Sequence, residues 1–80
     1  DTVSNSNDII GYPNPAKDEL YIKNSNNSMV QIFDNKGKII ITMILKNSGD
    51  PIDISTLSPG MYFANVITPT QTKAILFNKQ

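Results

Sequence analysis

Apolar residues recur at alternate positions in short runs along nearly the whole chain, and turn-forming clusters separate the runs. A period of two is that of a strand with one buried face. The first run, Ile9-Ile10-Gly11-Tyr12, is closed by Pro13-Asn14-Pro15. Its prolines remove backbone donors and fix φ, which predicts an edge strand turning into a loop. Lys17-Asp18-Glu19 makes a polar turn into Leu20-Tyr21-Ile22-Lys23, with Leu20 and Ile22 on the core side. Asn24 to Ser28 is loop by composition. Met29 to Phe33 is a strand with Val30 and Ile32 on one face, and Asp34-Asn35-Lys36-Gly37 ends it. That tetrad signals a hairpin, because Asp34 can bond its own backbone and Gly37 can supply a positive φ. Near the end, Thr68 to Thr72 turns the chain into a last strand, Lys73 to Lys79.

Two stretches add to this pattern. Lys38 to Leu45 is apolar on both faces. A strand of a two-layer sandwich normally keeps one wet face, so the run either crosses between sheets or holds an apolar surface for a partner. It is also the most aggregation-prone window of the chain. The second stretch, Ile52 to Val66, alternates through Ile52 and Ile54, breaks at Ser58-Pro59-Gly60 and resumes with Tyr62, Ala64 and Val66. It predicts strand, corner, strand: Leu57 plugs the core, Gly60 takes a backbone conformation that a Cβ disfavours, and the Tyr62 hydroxyl bonds upstream backbone as in a tyrosine corner. About seven strands and no helix follow, the pattern of an all-β, immunoglobulin-like antiparallel β-sandwich. Spacing leaves the strand order open.

Eighty residues make one domain. With no cysteine the fold rests on apolar packing and sheet hydrogen bonds, and the redox compartment stays open. Seven lysines balance seven acids and arginine is absent, which argues against nucleic acid and anionic membrane as partners. There is no charged-then-apolar leader and no apolar run near ~20 residues, so neither a signal peptide nor a membrane span is expected. Asp1 to Asp8 is polar and aperiodic, of linker composition, and the sandwich domain is expected over residues 9–80. The whole reads as a terminal module of something longer.

Chemistry is scarce. Histidine and cysteine are both missing, which excludes Ser-His or Cys-His catalysis and the usual zinc sites. Asp18 and Glu19 are adjacent and point apart, so they do not make an acid–base pair. In the Asp34 turn a lysine stands where a calcium ligand would be needed. Asp50 and Asp53 could share a cation with loop carbonyls, although Asp53 also suits the turn before Leu57. Asn26-Asn27-Ser28 fits the glycosylation acceptor pattern, common in asparagine-rich loops. Of the six aromatics, Tyr21 and Phe63 alternate outward and are the candidates for a sugar-binding platform. No catalytic, cofactor or metal constellation emerges, so the chain is not expected to be an enzyme.

The order of the motifs is distinctive. Tyr12-Pro13-Asn14-Pro15-Ala16 is followed by Asp18 and Leu20-Tyr21-Ile22, then by Val30-Gln31-Ile32-Phe33-Asp34 with Gly37-Lys38. Next come Ile52-Asp53-Ile54-Ser55 with Leu57, Gly60 and Tyr62, and last Lys73 with a closing apolar strand. Together, from about Tyr12 to Lys79, they resemble the type A C-terminal sorting domain of the type IX (Por) secretion system. The resemblance implies an address on secreted cargo, read by the outer-membrane shuttle and translocon proteins. It also implies a gingipain-like cysteine transpeptidase (sortase) that cuts N-terminal to the domain and couples the cargo to an anionic lipopolysaccharide.

Carried over, the address is Gly60, Tyr62 and the last strand with Lys73, Ile75, Phe77 and Lys79, and the cut falls around Asp1 to Asp8. Pro13, Asn14, Pro15, Gly37 and Leu57 are the structural positions of the motif. Transit through the periplasm to the cell surface or medium is implied, with the cargo domain N-terminal to the sandwich. On physical grounds Lys73 and Lys79 serve equally to protect the edge of the last strand from aggregation or to mark it for strand addition. The apolar Ile75-Leu76-Phe77 core of that strand suggests a weak homodimer through its edge. The alternative is a fibronectin-III-like or carbohydrate-binding accessory module of a secreted hydrolase or adhesin, against which stand the short length and the missing core tryptophan.

Overall fold

A computed structural model of the chain describes residues 8–80. The expected polar segment over residues 1–8 therefore lies, but for Asp8, outside the described residues. Seven strands run in order: β1 (Ile10–Tyr12), β2 (Glu19–Lys23), β3 (Ser28–Phe33), β4 (Ile39–Leu45), β5 (Ile52–Asp53), β6 (Gly60–Ile67) and β7 (Thr72–Lys79). They form two sheets, one of three strands in the order β1-β2-β5 and one of four in the order β4-β3-β6-β7. All neighbours within the sheets are antiparallel. The fold is the all-β sandwich that alternation predicts. The order places β6, the strand after the tyrosine corner, at the centre of the larger sheet.

Alternation does the work of assembly. Leu20 and Ile22 from β2, Val30 and Ile32 from β3, Tyr62, Ala64 and Val66 from β6, and Phe77 from β7 are all buried between the sheets. Burying side chains of this size stabilises by roughly 1.5–3 kcal/mol each, which carries a domain without disulfides. Leu57 is only half-buried against that core rather than plugging it.

The corner is built from three local devices. Gly60 sits at φ +151°, a region that L side chains rarely adopt. The Tyr62 hydroxyl donates to the Ser58 carbonyl at 2.6 Å, tying β6 back to the turn that precedes it. Asp53 accepts from the backbone N–H and the hydroxyl of Ser55, at 2.9 and 2.6 Å, so its carboxylate serves the turn. Those bonds to the charged form hold the Asp53 carboxyl below its ordinary value, the Ser55 hydroxyl first among them.

The β3–β4 hairpin behaves as its sequence requires. Asp34 accepts from the backbone N–H of Lys38 and Lys36, and Gly37 stands at φ +86°. The same bonds, that of Lys38 foremost, lower the Asp34 carboxyl.

The Asn24–Ser28 segment is the loop its composition predicts, ending on Ser28 at the start of β3. Ser25 and Ser28 are buried, and their hydroxyls donate to the Ile22 and Ser25 carbonyls at 2.7 and 2.6 Å. Asn24 and Asn27 adopt positive φ. The Asn26 side-chain oxygen accepts from the Ser48 N–H, so the glycosylation-like triplet is built into the loop on both sides.

Candidate functional site: the outer side of the last strand

β7 pairs along its whole length with β6, from Gly60 opposite Lys79 to Ile67 opposite Thr72. Its other side is an edge of the four-stranded sheet, and the proline-flanked segment after β1 closes one end of that edge. The Asn78 N–H donates to the Asn14 side-chain oxygen at 3.0 Å, and its carbonyl accepts from the Ala16 N–H at 2.8 Å. The Gln80 N–H donates to the Ala16 carbonyl at 2.7 Å. Pro13 and Pro15, which have no N–H, flank Asn14, and the Tyr12–Pro13 and Asn14–Pro15 bonds are cis. The motif Pro13-Asn14-Pro15-Ala16 is thus a latch on the last strand, a role that only residues 64 positions apart reveal.

In an antiparallel ladder the outward-pointing backbone groups belong to alternate residues. Because both Asn78 groups point away from β6, those of Leu76 and Ala74 do too. Neither has a backbone partner among the described residues. Among the described residues the edge of β7 is closed at Asn78 and open at Ala74 and Leu76.

The candidate residues divide accordingly. Tyr62, Phe77 and Lys79 are buried, with the Tyr62 and Phe77 rings stacked at 5.7 Å. Gly60 and Ile75 are half-buried, and Lys73 is exposed. These six positions do not form one surface patch: most hold β7 in place, and Lys73 stands beside the open edge. Lys79 is a departure from the charged guard or marker that its place in the strand suggests. It is 7% exposed, because its alternation with Phe77 turns it inward opposite Gly60 and Ala16, and its ammonium donates to the Gln80 carbonyl at 3.0 Å.

The sugar platform is not assembled. Phe63 lies on the outer face of the four-stranded sheet and Tyr21 on that of the three-stranded sheet, so the sandwich separates them. Tyr21 instead stacks on Tyr12 at 5.6 Å, with the Lys23 ammonium 5.9 Å from the Tyr12 ring centre. Rings stacked on each other do not offer one common plane. The Tyr21 hydroxyl donates to Glu19 at 2.8 Å, and that bond pushes its pKa up.

Of the two readings of the Lys38–Leu45 run, the crossing between sheets does not occur: β4 stays in one sheet as an edge strand. A bulge against Phe33 leaves Ile39 and Ile40 both exposed. The outer face of the four-stranded sheet then reads in rows across the strands. Ile44, Met29 and Ile67 make an apolar row; Thr42, Gln31 and Asn65 make a polar one; Ile39 and Ile40, Phe33, Phe63 and Leu76 make a second apolar one.

The family described as secretion system C-terminal sorting domain, the Por secretion tail, matches residues 11–77. No curated protein matches. Among solved structures, the chain is similar to part of PorZ, described as an essential bacterial surface component of the type IX secretion system of Porphyromonas gingivalis. The superposition has a TM-score of 0.68 at 20% identity and covers 90% of this chain and 11% of that one. At that identity the likeness is one of fold.

Proposed function

The chain belongs to the secretion system C-terminal sorting domain family of the type IX system, and on that premise we propose that the open edge of β7 is the address by which the machinery reads its cargo. Sorting by this family implies delivery to the cell surface or the extracellular space. The observation that carries the proposal is the half-closed edge: Asn14 and Ala16 fix β7 at Asn78, and the N–H and C=O groups of Ala74 and Leu76, beside Lys73, have no backbone partner among the described residues. Such a row templates an added strand from an outer-membrane shuttle or translocon protein. Gly60, Tyr62, Ile75, Phe77 and Lys79 present that strand, and Lys73 supplies a charge next to it.

In the same reading the domain passes through the periplasm folded. A cysteine transpeptidase then cuts within residues 1–8, freeing an N-terminal cargo from the sandwich.

The test is a periplasm-directed fluorescent reporter fused to residues 1–80 in a bacterium with a working type IX system, beside the same fusion carrying Ala74→Pro. Proline is tolerated on an edge where the lost N–H faces outward, so this variant keeps the fold and removes one docking donor. Deleting β7 would not discriminate, because it also strips Phe77 from the core. The intact fusion is expected outside the cell with the domain removed, and the variant folded, uncut and in the periplasm. Equal secretion of the two refutes the edge as the address. Retention of the intact fusion refutes sorting altogether.

A further inference from the structure

We propose that the outer face of the four-stranded sheet is a self-association surface, on which a second copy of this chain docks face to face. Self-association stands independently of sorting, since it rests on the pattern of the face alone. Eight of the ten large hydrophobic side chains exposed among the described residues lie on this sheet, led by Ile44 at 61% and Leu76 at 51%. No outward position of its four strands carries a charge, because Lys73 and Lys79 alternate to the other side.

The order of the rows selects the occupant. Two apolar rows flank the row of Thr42, Gln31 and Asn65. Side-chain amides carry both a donor and an acceptor, so a row of them is complementary to its own copy. A two-fold axis between the faces, along the strands or across them, sets that row on its equivalent and apolar rows on apolar rows. A lipid surface would instead have to desolvate the amides without pairing them.

Four strands about 4.8 Å apart and about six residues at about 3.3 Å each make a face of roughly 400 Å² in projection. The whole face, polar row included, is about half of what one partner gives to a standard interface. The dimer is therefore weak, in the micromolar-to-millimolar range. Lys38 and Lys46 stand at the two ends of β4, with Lys36 in the adjoining hairpin. With the axis across the strands β4 lies over its own copy, so these rim charges repel their equivalents, and salt screens them.

Sedimentation velocity of the 80-residue chain from micromolar to millimolar concentration, at low and high sodium chloride, tests this. A monomer–dimer equilibrium that tightens with salt is expected. Phe63→Lys weakens it by at least about tenfold, since a buried ammonium at the centre finds no partner. Lys73→Glu, at a position that alternates to the inner side of β7, leaves it unchanged. Ile44→Lys, on the other apolar row, is the second variant should Phe63→Lys fail to fold by circular dichroism. A monomer throughout overturns the proposal, whether or not the chain pellets with phosphatidylglycerol vesicles. A dimer that survives the folded lysine variants overturns it in favour of pairing elsewhere.

Discussion

Tyr62 joins the corner to the core through one hydroxyl, whose 2.6 Å bond to the Ser58 carbonyl is part-buried. Tyr62→Phe keeps the ring against Phe77 and removes only the bond, so it is expected to cost about 1 kcal/mol. A lower urea midpoint with an unchanged slope would show it. Gly60→Ala meets no neighbouring atom, yet the φ of +151° strains any L residue. About 1–3 kcal/mol is expected from the backbone alone, measured in the same way. Asp34 and Asp53 contribute to the acid dependence of stability. Their hydrogen bonds hold the folded-state carboxyls below the unfolded value near 3.9, so the stabilisation is complete above that value and is lost as pH falls through the lowered ones. Stability from these groups is expected to be flat between neutral pH and about pH 5 and to drop below about pH 4. In Asp34→Asn and Asp53→Asn chains the drop should shrink.

Among the elements, β7 is pinned at one end, and along the rest of its outer edge Ala74 and Leu76 have no backbone partner among the described residues. Hydrogen exchange resolves the difference residue by residue: the Asn78 and Gln80 amides should be protected, and those of Ala74 and Leu76 should exchange quickly. Asn14→Ala is expected to release the Asn78 amide at a cost of about 1 kcal/mol while leaving the Ala16–Asn78 bond in place. β4 is the other edge of the sheet, and its bulge places Ile39 and Ile40 where one isoleucine would otherwise face solvent. That extra residue explains why the run looks continuously apolar in one dimension although Ile41, Met43 and Leu45 alternate normally toward the core.

At the scale of the molecule, a sandwich of this length holds a total stability of only about 4–12 kcal/mol. Phe77→Ala, at about 3–5 kcal/mol, removes a fully buried ring from the strand that the larger sheet ends on. The variant is expected to lose its cooperative thermal transition or melt far lower by calorimetry. Any test of the address that deletes β7 therefore reports on folding. The same small size explains the division between the faces. One core layer takes the alternate residues of both sheets, and the outer residues of the larger sheet are left to solvent or to a partner.

Strand positions, the hairpin at Asp34, the corner at Gly60 and Tyr62 and the identity of most core residues were legible in the sequence. Each follows from a period of two or from turn chemistry within a few residues of itself. Family membership was legible too, since it lies in the order of those local motifs. Burial of Lys79, the latch of Asn14 on Asn78, the stacking of Tyr12 on Tyr21 and the separation of Tyr21 from Phe63 were decided by the tertiary structure. All depend on which strand lies beside which and in what register. Strand order is fixed by how the apolar faces close on one another across long stretches of chain, and alternation within a strand is the same whichever neighbour it receives.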